Sequence, residues 1–302
     1  MEQNLQTARQ RTKEWLNGIP YEVAFWRSYY GNRKRRADLF SWSLYDKECI
    51  LDNYDVAAYI RSLDHKPIIM DVGCALSYAF GNRFDGKEMP VRYIDPLAPF
   101  YNRILEKYKI NRPQIEFGMI ETLSSNFKEE TVDFIHIRNA LDHCADPVGG
   151  IIQSLNCLKT NGILYLNHFR NEACNEAYRG FHQYNITEED GHLKIWNREK
   201  EIDITNLLSS FAETVTSVSN EGRIVAVITK KAPIPEEVFD REKTNLFISQ
   251  MLMTSAEFFH STRFTLSYQW AKVYTTVSHR FMRLLPYSWI NRLKKLLSRL
   301  HK

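Results

Sequence analysis

The residues best suited to chemistry follow two short apolar runs in the first third of the chain. Residues 68–70 lead into Asp71 and Gly73, and residues 91–94 lead into Asp95, twenty-four positions after Asp71. In a nucleotide-binding α/β sheet, a turn of small residues after the first strand lets a ligand approach the backbone, and an acid after the second strand binds ribose hydroxyls. Gly73 is the only glycine of its turn, so the dinucleotide fingerprint is incomplete. The pattern favours a ribose-containing ligand that lacks a pyrophosphate.

Three histidines form a second group of candidate catalytic residues. His143 follows the fourth predicted strand, His168 ends the fifth, and His182 lies in the segment after it. All three are therefore expected outside the carboxyl ends of the strands, where reacting groups gather in open α/β sheets. Imidazole titrates near neutral pH, which suits removal of a proton from an acceptor. Each also has a structural interpretation: His143 as a packed side chain, His168 at a strand end, and His182 as a substrate-binding group.

Two acids accompany these histidines, and one of them, Glu172, joins the candidate catalytic residues. A metal site could also be assembled from Asp142, His143, His168, Glu172 and His182. No pair among them has the tight spacing of an HExxH zinc motif, so we expect no metal.

Alternating segments must position these side chains. Strands are predicted at 67–72, 91–95, 115–119, 132–138 and 162–168, and helices near 77–83, 97–109, 122–127 and 147–158. This alternation predicts a parallel sheet. Two later runs, 215–218 and 223–229, flank a turn-forming segment and predict an antiparallel hairpin at one edge.

The remaining segments do not follow this alternation. Residues 1–45 are rich in aromatic side chains and are predicted to form a helical lid that contains the basic run Arg33–Arg36, and 46–65 resemble a helix leading into the sheet. Residues 170–202 form a long polar insertion before a helical stretch at 203–212. We therefore divide the chain into a lid (1–45), a central domain (46–232) and a basic helical C-terminal extension (233–302).

Charge is distributed unevenly along the chain. The net charge is +4, but no acidic residue follows Glu257 while nine basic residues do, which leaves 31 basic against 36 acidic residues in positions 1–257. An amphipathic helix is predicted from about Tyr287 to Leu300, with basic residues flanking its apolar side chains. An anionic membrane surface is its favoured partner, and packing on the body or on a second subunit is the alternative. No nucleic-acid partner is expected, because no binding-fold signature accompanies the charge.

Composition narrows the class further. No run of eighteen apolar residues indicates a transmembrane helix, and residues 1–7 lack the apolar region of a signal peptide. The five cysteines are widely spaced and form no CxxC pair, which predicts buried thiols rather than disulfides or a zinc site. These features predict a cytoplasmic protein, held peripherally at the inner membrane face if the C-terminal helix binds lipid.

The motifs in residues 66–232 resemble those of class I S-adenosylmethionine (SAM)-dependent methyltransferases of the type 11-like group. Five segments match the family's motifs in order: 71–77, 95–98, 118–123, 138–147 and 158–162. The resemblance implies an α/β fold with a Rossmann-like sheet, mostly parallel with an antiparallel edge hairpin, here flanked by helical N- and C-terminal extensions. It also implies SAM as the cofactor, bound by Asp71, Gly73, Cys74, Ser77, Asp95, Pro96, Leu97, Met119, Ile120, Glu121 and Asn139.

Three of the departures from the family pattern lie at motif positions expected around the cofactor. Ala75 and Ser77 stand where relatives often have glycine, and Met119 replaces an acid that often holds the adenine amino group. A catalytically silent, methyltransferase-like scaffold that docks a partner enzyme is therefore an alternative function.

Four segments resemble a narrower group, the methyltransferases of bacterial capsule and lipopolysaccharide clusters. They are residues 22–26, 139–143, 168–173 and 178–185. This resemblance implies O-methylation of a saccharide, or of its phosphate-type substituent, during surface-polysaccharide biosynthesis. Methylation of a lipid or another small molecule at the membrane is the alternative acceptor chemistry.

Overall fold

The computed structural model describes residues 2–239 and 241–262, together with Leu266, Gln269, Trp270, Val273, Tyr274 and Val277. The amphipathic helix predicted from about Tyr287 to Leu300 lies outside the described residues. Among the described residues, no helix is long and apolar enough to cross a membrane.

Twelve strands and nine α-helices are found in the described residues. The strands are β1 (Ile69–Val72), β2 (Arg83–Phe84), β3 (Lys87–Glu88), β4 (Val91–Asp95), β5 (Glu116–Phe117), β6 (Val132–Arg138), β7 (Leu158–Phe169), β8 (Asn185–Glu189), β9 (His192–Trp196), β10 (Glu201–Asp203), β11 (Ala212–Val218) and β12 (Arg223–Lys230). The helices are α1 (Glu2–Tyr30), α2 (Arg33–Trp42), α3 (Val56–Arg61), α4 (Ala98–Tyr108), α5 (Leu123–Asn126), α6 (Pro147–Cys157), α7 (Glu172–Asn175), α8 (Ile204–Leu208) and α9 (Arg241–Thr262). Short 3-10 turns cover Ile120–Thr122 and Leu141–His143.

Seven of the strands form one sheet in the order β11-β12-β7-β6-β1-β4-β5. Strands β5, β4, β1, β6 and β7 are parallel, whereas β12 runs antiparallel to both β7 and β11. The predicted Rossmann-like α/β sheet, mostly parallel with an antiparallel edge hairpin, is confirmed. The first 42 residues and residues 241–262 also contain the expected flanking helices.

Both faces of the central strands are covered, which explains their nearly continuous apolar runs. On one face, Ile135 and Ile137 of β6 pack with Ile151 of α6 in the largest apolar cluster. On the other face, Phe134 of β6 packs with Val56 of α3. Loops at the carboxyl ends of these buried strands are therefore held on a rigid support.

The helix predicted at 77–83 is absent, and an irregular loop leads instead into the β2–β3 hairpin. Ala75 and Tyr78 both have φ +46°, which breaks a right-handed helix. A Cβ on Gly81 would lie 2.7 Å from Cα of Cys49, so the backbone of this loop packs directly on the preceding segment. The helix expected over 46–65 is likewise shorter and covers only Val56–Arg61.

The polar insertion at 170–202 contains a three-stranded antiparallel sheet, β10-β9-β8. Asp190 (φ +52°) and Gly191 (φ +82°) form the turn between β8 and β9. An Asp-Gly pair between alternating polar and apolar residues is a strong hairpin signal, and the sequence interpretation missed it. Buried Ile186, Leu193 and Ile195 attach this small sheet to the main core.

The first helix packs across the loops at the carboxyl edge of the sheet. The Tyr30 hydroxyl donates to the Leu76 carbonyl at 2.7 Å, which joins α1 to the loop after β1. Near the middle of α1, Trp15 stacks on Phe181 of the insertion, with ring centroids 5.7 Å apart. Helix α1 therefore lies over the region where the candidate functional residues gather.

Candidate active site

Three loops meet at the carboxyl edge where the chain order of the sheet reverses. From β1 the chain continues to β4 on one side, and it later enters β6 on the other. The loop after β1 begins at Gly73, and the loop after β6 begins at Asn139. Asp95 is the last residue of β4 and directly precedes the third loop. Ligands of open α/β sheets bind in the crevice at such a switch point. The sequence prediction that these residues lie together is consistent with this geometry.

Gly73 is required by the contact between the loops after β1 and β6. Its φ is +70°, and a Cβ at this position would lie 2.5 Å from Cβ of Ala140. The Gly73 amide also donates to the Ile94 carbonyl at 2.8 Å. A side chain here would therefore strain the backbone and push the two loops apart.

Asp95 is buried between the turn after β1 and the start of α4. Its two carboxylate oxygens accept hydrogen bonds from the Ala75 and Leu97 amides, at 2.9 and 2.8 Å. Burial raises the pKa of Asp95 to about 7, although both N–H groups oppose this rise. With a pKa near neutrality, the Asp95 carboxyl group changes its protonation readily when a further hydrogen-bond donor binds it.

Asp71 has a partner within the protein that the sequence did not suggest. Its Oδ1 lies 2.7 Å from Nδ1 of His136 on β6, and both side chains are buried. Its Oδ2 is buried without a hydrogen-bonding partner among the described residues. His136 was not identified from the sequence, because nothing in a buried strand run distinguishes a paired histidine from a packed one.

A cavity of about 90 Å³ lies beside this pair. His136, Arg138 and Asn167 line it from the strands, and Asp52 and Ala79 close it from the loops.

The other expected cofactor residues differ in burial and in role. Cys74, Leu97 and Ile120 are buried apolar side chains, whereas Met119 and Pro96 are half-buried. The Ser77 hydroxyl donates to the Cys74 carbonyl at 2.8 Å, which closes the turn.

Glu121 and Asn139 hold loops in place. Glu121 accepts from the Ala145 amide at 2.8 Å ahead of α6, and burial raises the pKa of its carboxyl group to about 7. Asn139, at φ +51°, accepts from the Phe169 amide at 3.3 Å. Neither arrangement was evident from the sequence.

Asp142, His143 and His182 form a compact group, which we call the Asp-His-His cluster. Oδ2 of Asp142 lies 2.7 Å from Nδ1 of His182 and 3.5 Å from Nε2 of His143. The two ring nitrogens are 3.2 Å apart. The turn after β6 supplies the first two residues, and the insertion supplies His182. The Gln183 amide donates to the Asp142 carbonyl at 3.0 Å and fixes the insertion there.

The charges in the cluster are strongly coupled. Burial by itself would raise the pKa of Asp142, but the two histidines outweigh burial and hold that pKa well below its usual range. Burial would lower the pKa of His182, but its hydrogen bond to Asp142 and the nearby carboxylates, Glu172 among them, raise it to about 9. The pKa of His143 is lowered, chiefly by burial. In the folded chain, Asp142 therefore stabilises positive charge on His182.

His168 lies near this cluster but lacks its hydrogen bonds. It is buried at the end of β7, and neither ring nitrogen has a hydrogen-bonding partner among the described residues. Burial lowers its pKa to about 3, which makes it a weak base at neutral pH. Of the three candidate histidines, the structure brings His143 and His182 into contact and leaves His168 unpaired.

Glu22 of α1 is a further charged residue of this region. The sequence interpretation included it in a motif but gave it no role. Its Oε1 accepts from Nε1 of Trp26 at 2.7 Å. Its negative charge helps to raise the pKa of both Asp95 and His143, so it acts on the crevice and on the cluster.

Comparison with known proteins gives only distant similarities. No family model and no curated protein matches the chain. A SAM-dependent methyltransferase from Aquifex aeolicus is 13% identical over 59% of this chain and 89% of its own, with a TM-score of 0.38. A putative SAM-dependent methyltransferase from Methanococcus maripaludis is 17% identical over 60% and 85%, with a TM-score of 0.38.

A third solved structure is a complex of the Haloferax volcanii Trm112 methyltransferase activator with a putative methyltransferase. It is 15% identical over 60% of this chain and 90% of that chain, with a TM-score of 0.35. At this level of similarity, the order and direction of the strands remain the basis for the fold class.

Proposed function

We propose that this chain is a SAM-dependent methyltransferase. The observation that carries the proposal is the crevice in which the Gly73 turn touches Ala140 and Asp95 lies beside it, at the switch point of the sheet. A ligand in such a crevice meets backbone groups at its base and an acid at its side. When bound, SAM supplies a methyl group that is already activated on a sulfonium.

The residues around the crevice suit this cofactor. Asp95 accepts two amide hydrogens, and a carboxylate has lone pairs for further donors, so ribose hydroxyls can bind it as well. The unpaired Oδ2 of Asp71 can accept from the amino group of the methionine end. Ile120 and Met119 offer apolar contact to adenine in place of a hydrogen-bonding acid.

The Asp-His-His cluster is the proposed acceptor end of the site. It begins two residues after Ala140, and its histidine rings are about one-fifth exposed, at 21% for His143 and 24% for His182. Transfer to a hydroxyl requires that the oxygen be aligned with the methyl group and lose its proton. The cluster can stabilise the negative charge that develops on the acceptor oxygen as that proton leaves.

We propose a saccharide hydroxyl, or a phosphate-type substituent of a saccharide, as the acceptor in surface-polysaccharide biosynthesis. Three of the four segments that resemble capsule and lipopolysaccharide methyltransferases contribute to this cluster. Glu22 of α1 acts on His143, the turn 141–143 holds the cluster, and the insertion supplies Phe181 and His182. The surrounding carboxylates favour a neutral hydroxyl over an anionic group.

We propose that the protein acts while bound to the anionic inner face of the membrane. Four apolar side chains at helical spacing, Leu266, Trp270, Val273 and Val277, are exposed among the described positions beyond α9. They precede the most basic part of the chain. An exposed apolar stripe next to basic residues suits the surface of an anionic bilayer.

Calorimetric titration with SAM tests the proposed cofactor. We expect Asp95→Ala to weaken SAM binding roughly tenfold or more, because a lost charge-assisted hydrogen bond costs about 1.5–3 kcal/mol. Asp38→Ala, at an exposed acid of α2, is the matched control and should bind like the parent. Circular dichroism establishes that each variant is folded.

Two results would overturn the assignment. If the folded parent chain does not bind SAM, the silent scaffold is the better description. If Asp95→Ala binds SAM as tightly as the parent does, the crevice is not the cofactor site.

A further inference from the structure

The three polar atoms of the Asp-His-His cluster form a triangle rather than a chain. Their separations are 2.7 Å (Asp142 Oδ2 to His182 Nδ1), 3.2 Å (His182 Nδ1 to His143 Nε2) and 3.5 Å (His143 Nε2 to Asp142 Oδ2). A hydrogen-bonded relay needs only two short contacts and can leave its ends apart. Here all three atoms lie within 3.5 Å of one another, as do groups that share a single cation.

The dimensions of this triangle suit a metal ion. A point can lie about 2.1 Å from all three atoms, which is the usual distance of Zn²⁺ from imidazole nitrogen or carboxylate oxygen. We propose that Asp142, His143 and His182 bind one divalent transition-metal ion. Two imidazoles favour an ion such as Zn²⁺ over Mg²⁺, which prefers oxygen ligands.

A second observation in the cluster also indicates a missing partner. Oδ1 of Asp142 is buried and has no hydrogen-bonding partner among the described residues. A buried carboxylate oxygen that is left unpaired is costly, and a cation or a water bound to it removes that cost. Oδ1 of Asp142 would gain such a partner if it also coordinated the ion, or if it accepted a hydrogen bond from a water bound to the ion.

The backbone around the ligands is preorganised. The His143 amide donates to the Ala140 carbonyl at 3.1 Å, and the His182 amide donates to the Arg179 carbonyl at 3.2 Å. His143 also lies against the ring of Phe181, with centroids 5.5 Å apart. Ligands fixed in this way lose little freedom when they bind an ion.

The site would be open on one side. Asp142 is only 3% exposed, whereas the two histidine rings are partly exposed. Three protein ligands with an open position are typical of a catalytic metal site, whereas structural sites are closed by four.

The role of the ion rests on the proposed function, although its binding does not. At the open position it would coordinate the acceptor hydroxyl and lower its pKa, and the proton would pass to water. The oxygen's electron pair then forms the O–CH₃ bond while the C–S bond breaks. The electron pair of the broken C–S bond remains on sulfur, and S-adenosylhomocysteine is released.

The test is metal content and affinity of the full-length protein. After removal of metal with a chelator and gel filtration, the chain is titrated with ZnCl₂, and bound metal is measured by mass spectrometry. We expect one equivalent for the parent. His143→Gln and His182→Gln should each weaken Zn²⁺ binding by more than about tenfold, because loss even of an outer-shell partner of a metal ligand costs roughly tenfold or more. Co²⁺ should give a visible absorption band in the parent that both variants lose.

His192→Gln is the matched control. His192 also pairs with an acid, Asp203, at 2.8 Å, but lies outside the cluster. It should retain full metal binding. The proposal is overturned if the folded parent binds less than about 0.2 equivalents of Zn²⁺, or if both cluster variants bind Zn²⁺ as tightly as the parent does. Metal binding without SAM binding would overturn the proposed function and leave this inference intact.

Discussion

Buried carboxyl groups are the most informative residues around the proposed site. Asp95 and Glu121 both accept backbone amides and are both shielded from solvent. For each, burial raises the pKa to about 7. Asp95 fixes the turn before α4, and Glu121 fixes the loop before α6. Because burial disfavours their charged forms, both groups lower the stability of the fold when they ionise.

Glu121→Gln tests this cost without disturbing the loop, because Gln Oε1 can still accept from the Ala145 amide. With a folded pKa of about 7, the parent's Glu121 holds its proton more tightly when folded than when unfolded. Its contribution to stability therefore falls as pH rises from about 4.5 to about 7. The Gln side chain does not titrate. We expect the variant to gain about 1–3 kcal/mol relative to the parent between pH 5 and pH 8.

Urea unfolding at several pH values, without cofactor, measures this difference. Glu237→Gln, at an exposed position, serves as the control and should show no pH-dependent gain. A constant difference between Glu121→Gln and the parent across the range would show that Glu121 is ionised in the folded chain throughout.

At the scale of elements, the packing of α1 on the insertion closes the proposed acceptor end. Gly18 of α1 lies directly against Phe181, next to the stack of Phe181 on Trp15. A Cβ at Gly18 would lie 2.2 Å from Cδ1 of Phe181. The absence of a side chain at this position therefore allows α1 to approach the segment that supplies His182.

Gly18→Ala should consequently destabilise the protein, against the usual preference for alanine in a helix. Alanine normally stabilises a helix interior by up to about 1 kcal/mol relative to glycine. Here the collision with a buried ring should cost about 1–3 kcal/mol, as overpacking does. Thermal unfolding measures the net change.

The double mutant isolates the cause. In a Phe181→Ala background the ring is gone, so Gly18→Ala should become neutral or stabilising there. If Gly18→Ala stabilises the otherwise unchanged protein, α1 does not pack on Phe181 in solution.

At the scale of the whole molecule, a mildly acidic body is joined to a basic C-terminal segment. The excess of acidic residues in positions 1–257 and the basic segment beyond Glu257 give the two parts opposite charge. Arg179 of the insertion donates to the Tyr274 hydroxyl at 3.2 Å, so the insertion that holds His182 also touches the extension. Attachment of the extension to a surface would bring the proposed site close to that surface.

Removal of residues 280–302 should abolish binding to vesicles that contain anionic lipid. Each basic residue near such a surface contributes about 1 kcal/mol, and salt screens this attraction. Co-sedimentation with anionic vesicles at low and high salt measures the effect. Arg292, Lys294, Lys295 and Arg299 changed together to Gln keep the chain length and should bind weakly. Failure of the full-length protein to bind anionic vesicles at low salt would indicate that the extension packs on protein.

The sequence by itself determined the succession along the chain of the strands of the main sheet, the edge hairpin and the positions of Gly73 and Asp95. These follow from local features: apolar runs of strand length, turn residues at their ends, and acids at fixed places after them. The loop after β1 was predicted wrongly as a helix, because its positive φ values at Ala75 and Tyr78 depend on packing against the chain before β1.

The tertiary structure alone decided which polar groups meet. Asp71 pairs with His136 across 65 positions, and Asp142 pairs with His182 across 40. No spacing rule links residues so far apart, because their contact depends on how strands order in the sheet and how the insertion folds back on α1. The sequence therefore determined the framework of the crevice, whereas three-dimensional packing created the Asp-His-His cluster and the buried carboxyl groups with raised pKa.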